Sequence, residues 1–243
     1  NSNLAATGYP SDEELEILNR WRETLPDSVF GPSYVPPENN NRRDIRQNLR
    51  KASQLLTEAG WVIRNGKRVK NDTNQPFQFE VIINDPDKEK IALALTRNLK
   101  KLGIQVSVRV LDSSAFIGRL NEYDFDVVLH YWHSTLSPGT EQILFWGCDA
   151  ARQKARWNFA GICRESIDWI SYKIANAKDR EDLVTLTRAL DRILTHDHYM
   201  IPLFYRGEDW LMYQDSFIHP DYTPVYGTVQ ESWWQIQKTQ LED

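Results

Sequence analysis

FQFEVIINDPDKEKIALALTRNLKKLGIQVSVRVLD, residues 77–112, decides the fold. Phe77, Phe79, Val81 and Ile83 alternate with Gln78, Glu80 and Ile82, the two-residue period of a strand. Asp85-Pro86 then turns the chain, and Ile91, Leu95, Leu99 and Leu102 fall on one helical stripe that stops at Gly103. Alternation returns at Ile104, Val106, Val108 and Val110. A short helix over 113–120 and a third strand over 125–129 follow. Strand, helix, strand, helix, strand is the order of a parallel βαβ sheet with right-handed crossovers, so the fold class is α/β.

Working outward, Ser11 and Glu14 form a capping box that opens a helix carrying Leu15, Leu18 and Leu25 and ending at Pro26. A proline-rich connector leads to a second helix from Arg42 to Gly60, with Ile45, Leu49, Ala52, Leu56 and Ala59 on one face. On the other side, Ile167, Ile170, Ile174 and Ala177 share a helical face. Asp179 caps a further helix with Leu183, Leu186, Leu190 and Ile193 inward. Two strands are expected over 199–205 and 210–213, followed by an aromatic, proline-punctuated tail.

Between these blocks lies YDFDVVLHYWHSTLSPGTEQILFWGC, residues 123–148. The third strand runs into His130, Tyr131, Trp132, His133 and Ser134 with no turn signal before Ser137-Pro138-Gly139. Ligands of open α/β sheets sit outside the carboxyl ends of the strands. Tyr131, Trp132, His133, Ser134 and Glu141 are therefore read as one wall of a binding cleft. The irregular region 134–164 exceeds the usual length of a structureless loop, and its aromatic residues Phe145, Trp146, Trp157 and Phe159 mark it as ordered.

Composition narrows the function. The chain has 243 residues, with 29 basic against 34 acidic side chains, a net charge of −5. Arg42, Arg43, Arg46, Arg50 and Lys51 are spread along one helix as a solvated face, so nucleic acid is not an expected partner. No apolar run approaches the ~20 residues that span a bilayer. No nucleophile elbow, phosphate loop or His-Glu-x-x-His motif is present, which argues against an enzyme and against a cofactor or metal. His196-Asp197-His198 reads as a helix end cap. Two other classes stay open: a metal-dependent hydrolase using His130, His133 and Glu141, and a structural interaction module working through the aromatic tail. Cys148 and Cys163 lie fifteen apart, a spacing that suits a disulfide or two separate thiols equally.

The runs NLRKASQLLTEAGW, FEVIINDPDKEKIALALTRNLKKLGIQVSVRVLD and DFDVVLHYW together resemble the family 5 extracellular solute-binding proteins, the peptide- and nickel-type binding proteins of ABC importers. STLSPGTEQILFWG with RWNFAGI, and REDLVTLTRALDRILTHDHYMIPLFY with ESWW, resemble its YejA-like branch, associated with oligopeptides and peptide antibiotics. The resemblance implies a type II (cluster C) periplasmic-binding-protein fold. Residues 1–198 would be lobe two, and residues 199–243 would return to a lobe one whose remainder, the N-terminal lobe, is missing from this chain. It further implies a peptide ligand gripped between lobes, a membrane permease as partner and a periplasmic location. That location favours a Cys148–Cys163 disulfide. In oligopeptide-binding relatives a tryptophan at the strand exit is followed three positions later by an aspartate that holds the peptide ammonium. Here Trp132 matches the tryptophan but Thr135 stands at the aspartate's place, with Glu141 a substitute and Asn158 a further polar contact.

Overall fold

A computed structural model describes residues 4–132, 135–204, 208, 210–225 and 227–235. The chain divides between Met200 and Ile201 into two compact units. In the larger, strand β3 (Gln78–Ile83) lies between β4 (Gln105–Val110) and β5 (Val127–Val128), parallel to both. Just before it, β1 (Trp61–Arg64) and β2 (Lys67–Lys70) form a separate hairpin. The crossovers are α3 (Pro86–Lys101) and α4 (Ser113–Glu122). Asp85 and Asp112 cap these helices, each side chain accepting from amides of the first turn.

Val81, Ile82 and Ile83 are all fully buried, because β3 is covered on both faces. Val81 and Ile83 pack with Ala92 of α3, whereas Ile82 points the other way, onto Phe116 and Leu120 of α4. Glu80 shares the Ile82 face. Its carboxylate accepts from Arg109 Nε and Arg119 Nη1, both at 2.6 Å, and these bonds hold its pKa below the ordinary glutamate value. The third strand is shorter than the sequence suggests. Asp126 Oδ2 accepts the Glu80 amide proton at 2.9 Å, so a side chain stands where a longer β5 would begin its ladder.

Sequence reasoning leaves residues 61–76 unassigned; they carry an antiparallel hairpin of β1 (Trp61–Arg64) and β2 (Lys67–Lys70). Its signal was Asn65-Gly66, where both residues take positive φ, 50° and 75°, as a type I′ turn requires. Arg68 fixes the hairpin to α2 (Arg42–Glu58) and to the end of α3. The guanidinium is 1% exposed and donates to Leu102 O, Trp61 O and Ser53 Oγ at 3.0, 3.1 and 2.9 Å. Gly103, at φ +80°, allows this approach: a Cβ there would lie 2.8 Å from the Arg68 amide nitrogen.

The helical core brings together α1 (Asp12–Leu18), α5 (Glu141–Trp146), α7 (Glu165–Ala175) and α8 (Arg180–His196). Ser11 caps α1 by accepting from the Glu14 amide, and Ile167, Ile170, Ala189 and Ile193 are completely enclosed. One buried ion pair ties the ends of this unit together. Arg192 Nε donates to Glu14 Oε2 at 2.6 Å, and its remaining N–H groups reach the carbonyls of Gly31, Thr7 and Gly8. Residues 135–164 are more regular than a loop: they hold α5 and α6 (Cys148–Arg152).

Among the described residues the smaller unit has one two-residue ladder, β6 (Phe217–Ile218) with β7 (Trp234–Gln235). Tyr213, His219 and Trp233 cluster beside it, and Tyr213 Oη lies 3.0 Å from His219 Nε2. None of its described residues is buried. The strands expected over 199–205 and 210–213 are absent among the described residues, and Tyr205 lies outside these. An apolar run gives a strand only where a neighbouring strand accepts its hydrogen bonds. Here Tyr199 and Met200 instead pack on the helical core of the larger unit.

Candidate binding edge

Because β3, β4 and β5 are parallel, their carboxyl ends share one edge. Asn84 leaves β3 there, Leu111 leaves β4, and Leu129 to Trp132 leave β5. His130 stacks edge-on against Phe159, with ring centroids 4.7 Å apart. Tyr131 is 62% exposed, and the ammonium of Lys88 stands 5.8 Å from its ring centroid. Lys88 is held in turn by Asn84 Oδ1 at 3.4 Å. Trp132 is half-buried: its ring lies 5.0 Å from that of Trp146, and its Nε1 donates to the Trp157 carbonyl at 3.2 Å. The edge therefore has an anchored indole beside an outward phenol.

The other expected site residues fall differently. His133 and Ser134 lie outside the described residues. Glu141 is half-buried, and its Oε1 accepts from the Gly139 amide at 2.9 Å and from Gln142 Nε2 at 3.2 Å, so it stabilises the turn into α5. Thr135 Oγ1 closes a local turn with Ser137, accepting from its N–H and donating to its carbonyl. Asn158 is fully buried rather than facing a cleft. Its Nδ2 donates to Gly147 O and Ile162 O at 2.9 and 2.8 Å, while its Oδ1 accepts from the Ile162 amide at 2.9 Å. Every one of these bonds is to backbone, so the amide is a structural tie. Among the described residues no group of three or more His, Cys, Asp or Glu side chains could hold a metal ion.

Cys148 and Cys163 are joined by a disulfide. The segment between them is also anchored through Tyr123, a residue the sequence reading passed over. Tyr123 closes α4 in the left-handed conformation, φ 55°. Its hydroxyl lies 3.2, 3.1 and 3.0 Å from the carbonyl oxygens of Ala150, Gln153 and Arg156, to which it can donate in turn. Burial pushes this phenol's pKa up, the Arg156 contacts opposing it. The only available signal was a tyrosine directly after a helix, too common to single out.

In open α/β sheets ligands sit outside the carboxyl ends of the strands, and that is the edge at which Tyr131 and Trp132 stand. The chain belongs to the bacterial extracellular solute-binding proteins, family 5, whose model matches residues 22–153, more than half its length. It is 38% identical to the Sinorhizobium fredii protein y4wM over 95% of this chain and 35% of that one. It is 37% identical to the probable peptide-binding protein YejA of Agrobacterium fabrum over 96% of this chain and 38% of that one. The chain thus spans little more than a third of these relatives' length. Its fold is similar to that of the Bacillus subtilis oligopeptide-binding protein AppA, solved in complex with a nonapeptide, with a TM-score of 0.59 and 20% identity over 93% of this chain and 45% of that one. Among the described residues no helix is long and apolar enough to cross a membrane.

Proposed function

We propose that this chain is part of the substrate-binding component of an ABC importer, capturing peptides or peptide-like antibiotics in the periplasm without altering them chemically. Residues 1–198 act as lobe two, residues 199–243 belong to lobe one, and hinge closure of the two lobes grips an extended ligand. A membrane permease receives it. The observation that carries the reading is the pairing at the sheet's carboxyl edge: Trp132 is tied down by Trp157 and Trp146, while the adjacent Tyr131 ring is 62% exposed beside Lys88. A rigid aromatic face next to a cation suits a ligand with apolar side chains and a carboxylate. The name of the Agrobacterium relative and the nonapeptide in AppA support peptides as the class.

The test is calorimetric titration of di- to pentapeptides into the full-length protein, beside its Tyr131→Ala variant. Binding weakened about tenfold by the substitution, or ~1.4 kcal/mol, is expected. Failure of the full-length protein to bind any peptide, or stoichiometric zinc or nickel in the purified protein together with hydrolysis of the peptides, would overturn the reading. Cell fractionation checks the location, and a cytosolic pool alone would contradict it.

A further inference from the structure

Asn158 and the Cys148–Cys163 disulfide act on the same two points of the chain. The amide of Asn158 bonds Gly147 and Ile162, each the residue immediately before one of the cysteines. One covalent and one hydrogen-bonded tie thus close the segment 148–163 at its neck, side by side. The neck is tight: a Cβ on Gly147 would lie 2.5 Å from the Ile143 carbonyl oxygen. The far side of the segment is held by the Tyr123 hydroxyl, by the Ala155 amide donating to Asn121 O at 2.9 Å and by a Lys154–Glu122 ion pair.

What this frame presents is set by the residues flanking Asn158. Trp157 offers its carbonyl to the Trp132 indole and leaves its own ring 53% exposed. Phe159, on the other side, lies against His130 and Phe125. The buried asparagine therefore sits between two residues that touch the strand exit. We infer that Asn158 and the Cys148–Cys163 disulfide form a single clasp that positions the aromatic rim of the binding edge, so that ligand affinity depends on residues that never touch the ligand. Asn158 is a positioning residue, and the disulfide is its covalent counterpart. This inference rests on the peptide-binding reading proposed above.

Four variants of the full-length protein separate positioning from general stability: Asn158→Ala, the pair Cys148→Ser/Cys163→Ser, Tyr123→Phe, and Gly103→Ala as a control in the distant hairpin contact. Pentapeptide affinity and the near-ultraviolet circular dichroism of the indoles are measured at a temperature where far-ultraviolet spectra show each variant folded. The expected result is a Kd raised about tenfold or more in the first two and about threefold in the third, since a loosened support shell misplaces the groups it carries. The indole bands should fade in parallel. Gly103→Ala should lower the melting temperature and leave both readouts unchanged. Unaltered affinity and indole bands in the clasp variants overturn the inference, as does an equal loss of affinity in Gly103→Ala. Tyr123→Phe, which removes one hydroxyl, carries the test if the other clasp variants do not fold. If the wild-type protein binds no peptide, the functional reading falls, and the clasp is then judged on the indole bands alone.

Discussion

Residues 77–129 and residues 201–235 are both rich in apolar side chains, yet among the described residues only the first make an extended sheet. In the former, Val81, Ile82 and Ile83 are completely enclosed between α3 and α4. In the latter, Phe204, Trp210 and Met212 are 79%, 88% and 101% exposed. The difference lies in the partners within reach. Strand β3 has a neighbour on either side and a helix on each face, each within about 45 residues of sequence. The described part of 201–235 has one two-residue ladder. A hydrophobic pattern announces that a surface must be covered; only the rest of the molecule says by what. On the proposed reading, lobe one provides the cover.

The sharpest test of this contrast is amide hydrogen exchange on the chain itself. Amides of 81–83 should exchange only by global unfolding, and those of 201–235 should exchange faster by on the order of a thousandfold or more. Equal protection would erase the distinction. Substitutions carry it to single residues. Ile82→Ala should cost about 2–5 kcal/mol in urea unfolding, the range for truncating a buried aliphatic side chain. Trp210→Ala should stay within about 0.5 kcal/mol despite removing a larger group, because that ring is 88% exposed. A larger loss from Trp210→Ala would show that the tail does bury its aromatics. Gly103→Ala should cost about 1–2 kcal/mol for its left-handed backbone alone, with the contact at the Arg68 amide adding to this. An unchanged melting curve would mean that the hairpin is not clamped there.

The smallest effect is one of pH, and two carboxylates of the larger unit oppose each other. Glu80, bonded to Arg119 and Arg109, has its pKa lowered on folding. Its contribution is present above the ordinary glutamate value of about 4.3 and is lost as the pH falls below it. Asp191 has its pKa raised, by burial above all, so its ionisation weighs against the fold and acid relieves that penalty. Unfolding curves between about pH 6 and 3 should therefore show a shallower acid loss for Glu80→Gln and a steeper one for Asp191→Asn than for the wild type. Slopes in the reverse order would refute the assignment.

How much of this was legible in the sequence follows from what each signal depends on. The sheet with α3 and α4 was readable because its periods and caps are local: Asp85, Gly103 and the alternation of Phe79, Val81 and Ile83 lie within the elements they define. The hairpin was equally local in its Asn65-Gly66 turn and was overlooked, its strands being only four residues long. Asn158 was not readable as a tie. A polar residue among Trp157 and Phe159 looks like a ligand contact until Gly147 and Ile162 are seen to meet it. Glu141 misled in the same way, since its Gly139 partner is nearby but the turn that aims it is a matter of geometry. Tyr131 and Trp132 were readable as the residues that leave the third strand, because a strand's end can be read locally; which of the two faces outward could not be.

Arg68 gives the molecule one corner that acidity cannot reach. Its guanidinium is enclosed by carbonyl and hydroxyl oxygens, and although burial pushes its pKa down, an arginine keeps its proton across the whole range in which proteins fold. The hairpin, α2 and the end of α3 are thus riveted by a charge that does not switch, while Glu80 and Asp191 respond. On the periplasmic reading proposed above, where the medium sets the pH, this joint would stay shut through acid swings that weaken the hold of Glu80 and ease the burden of Asp191.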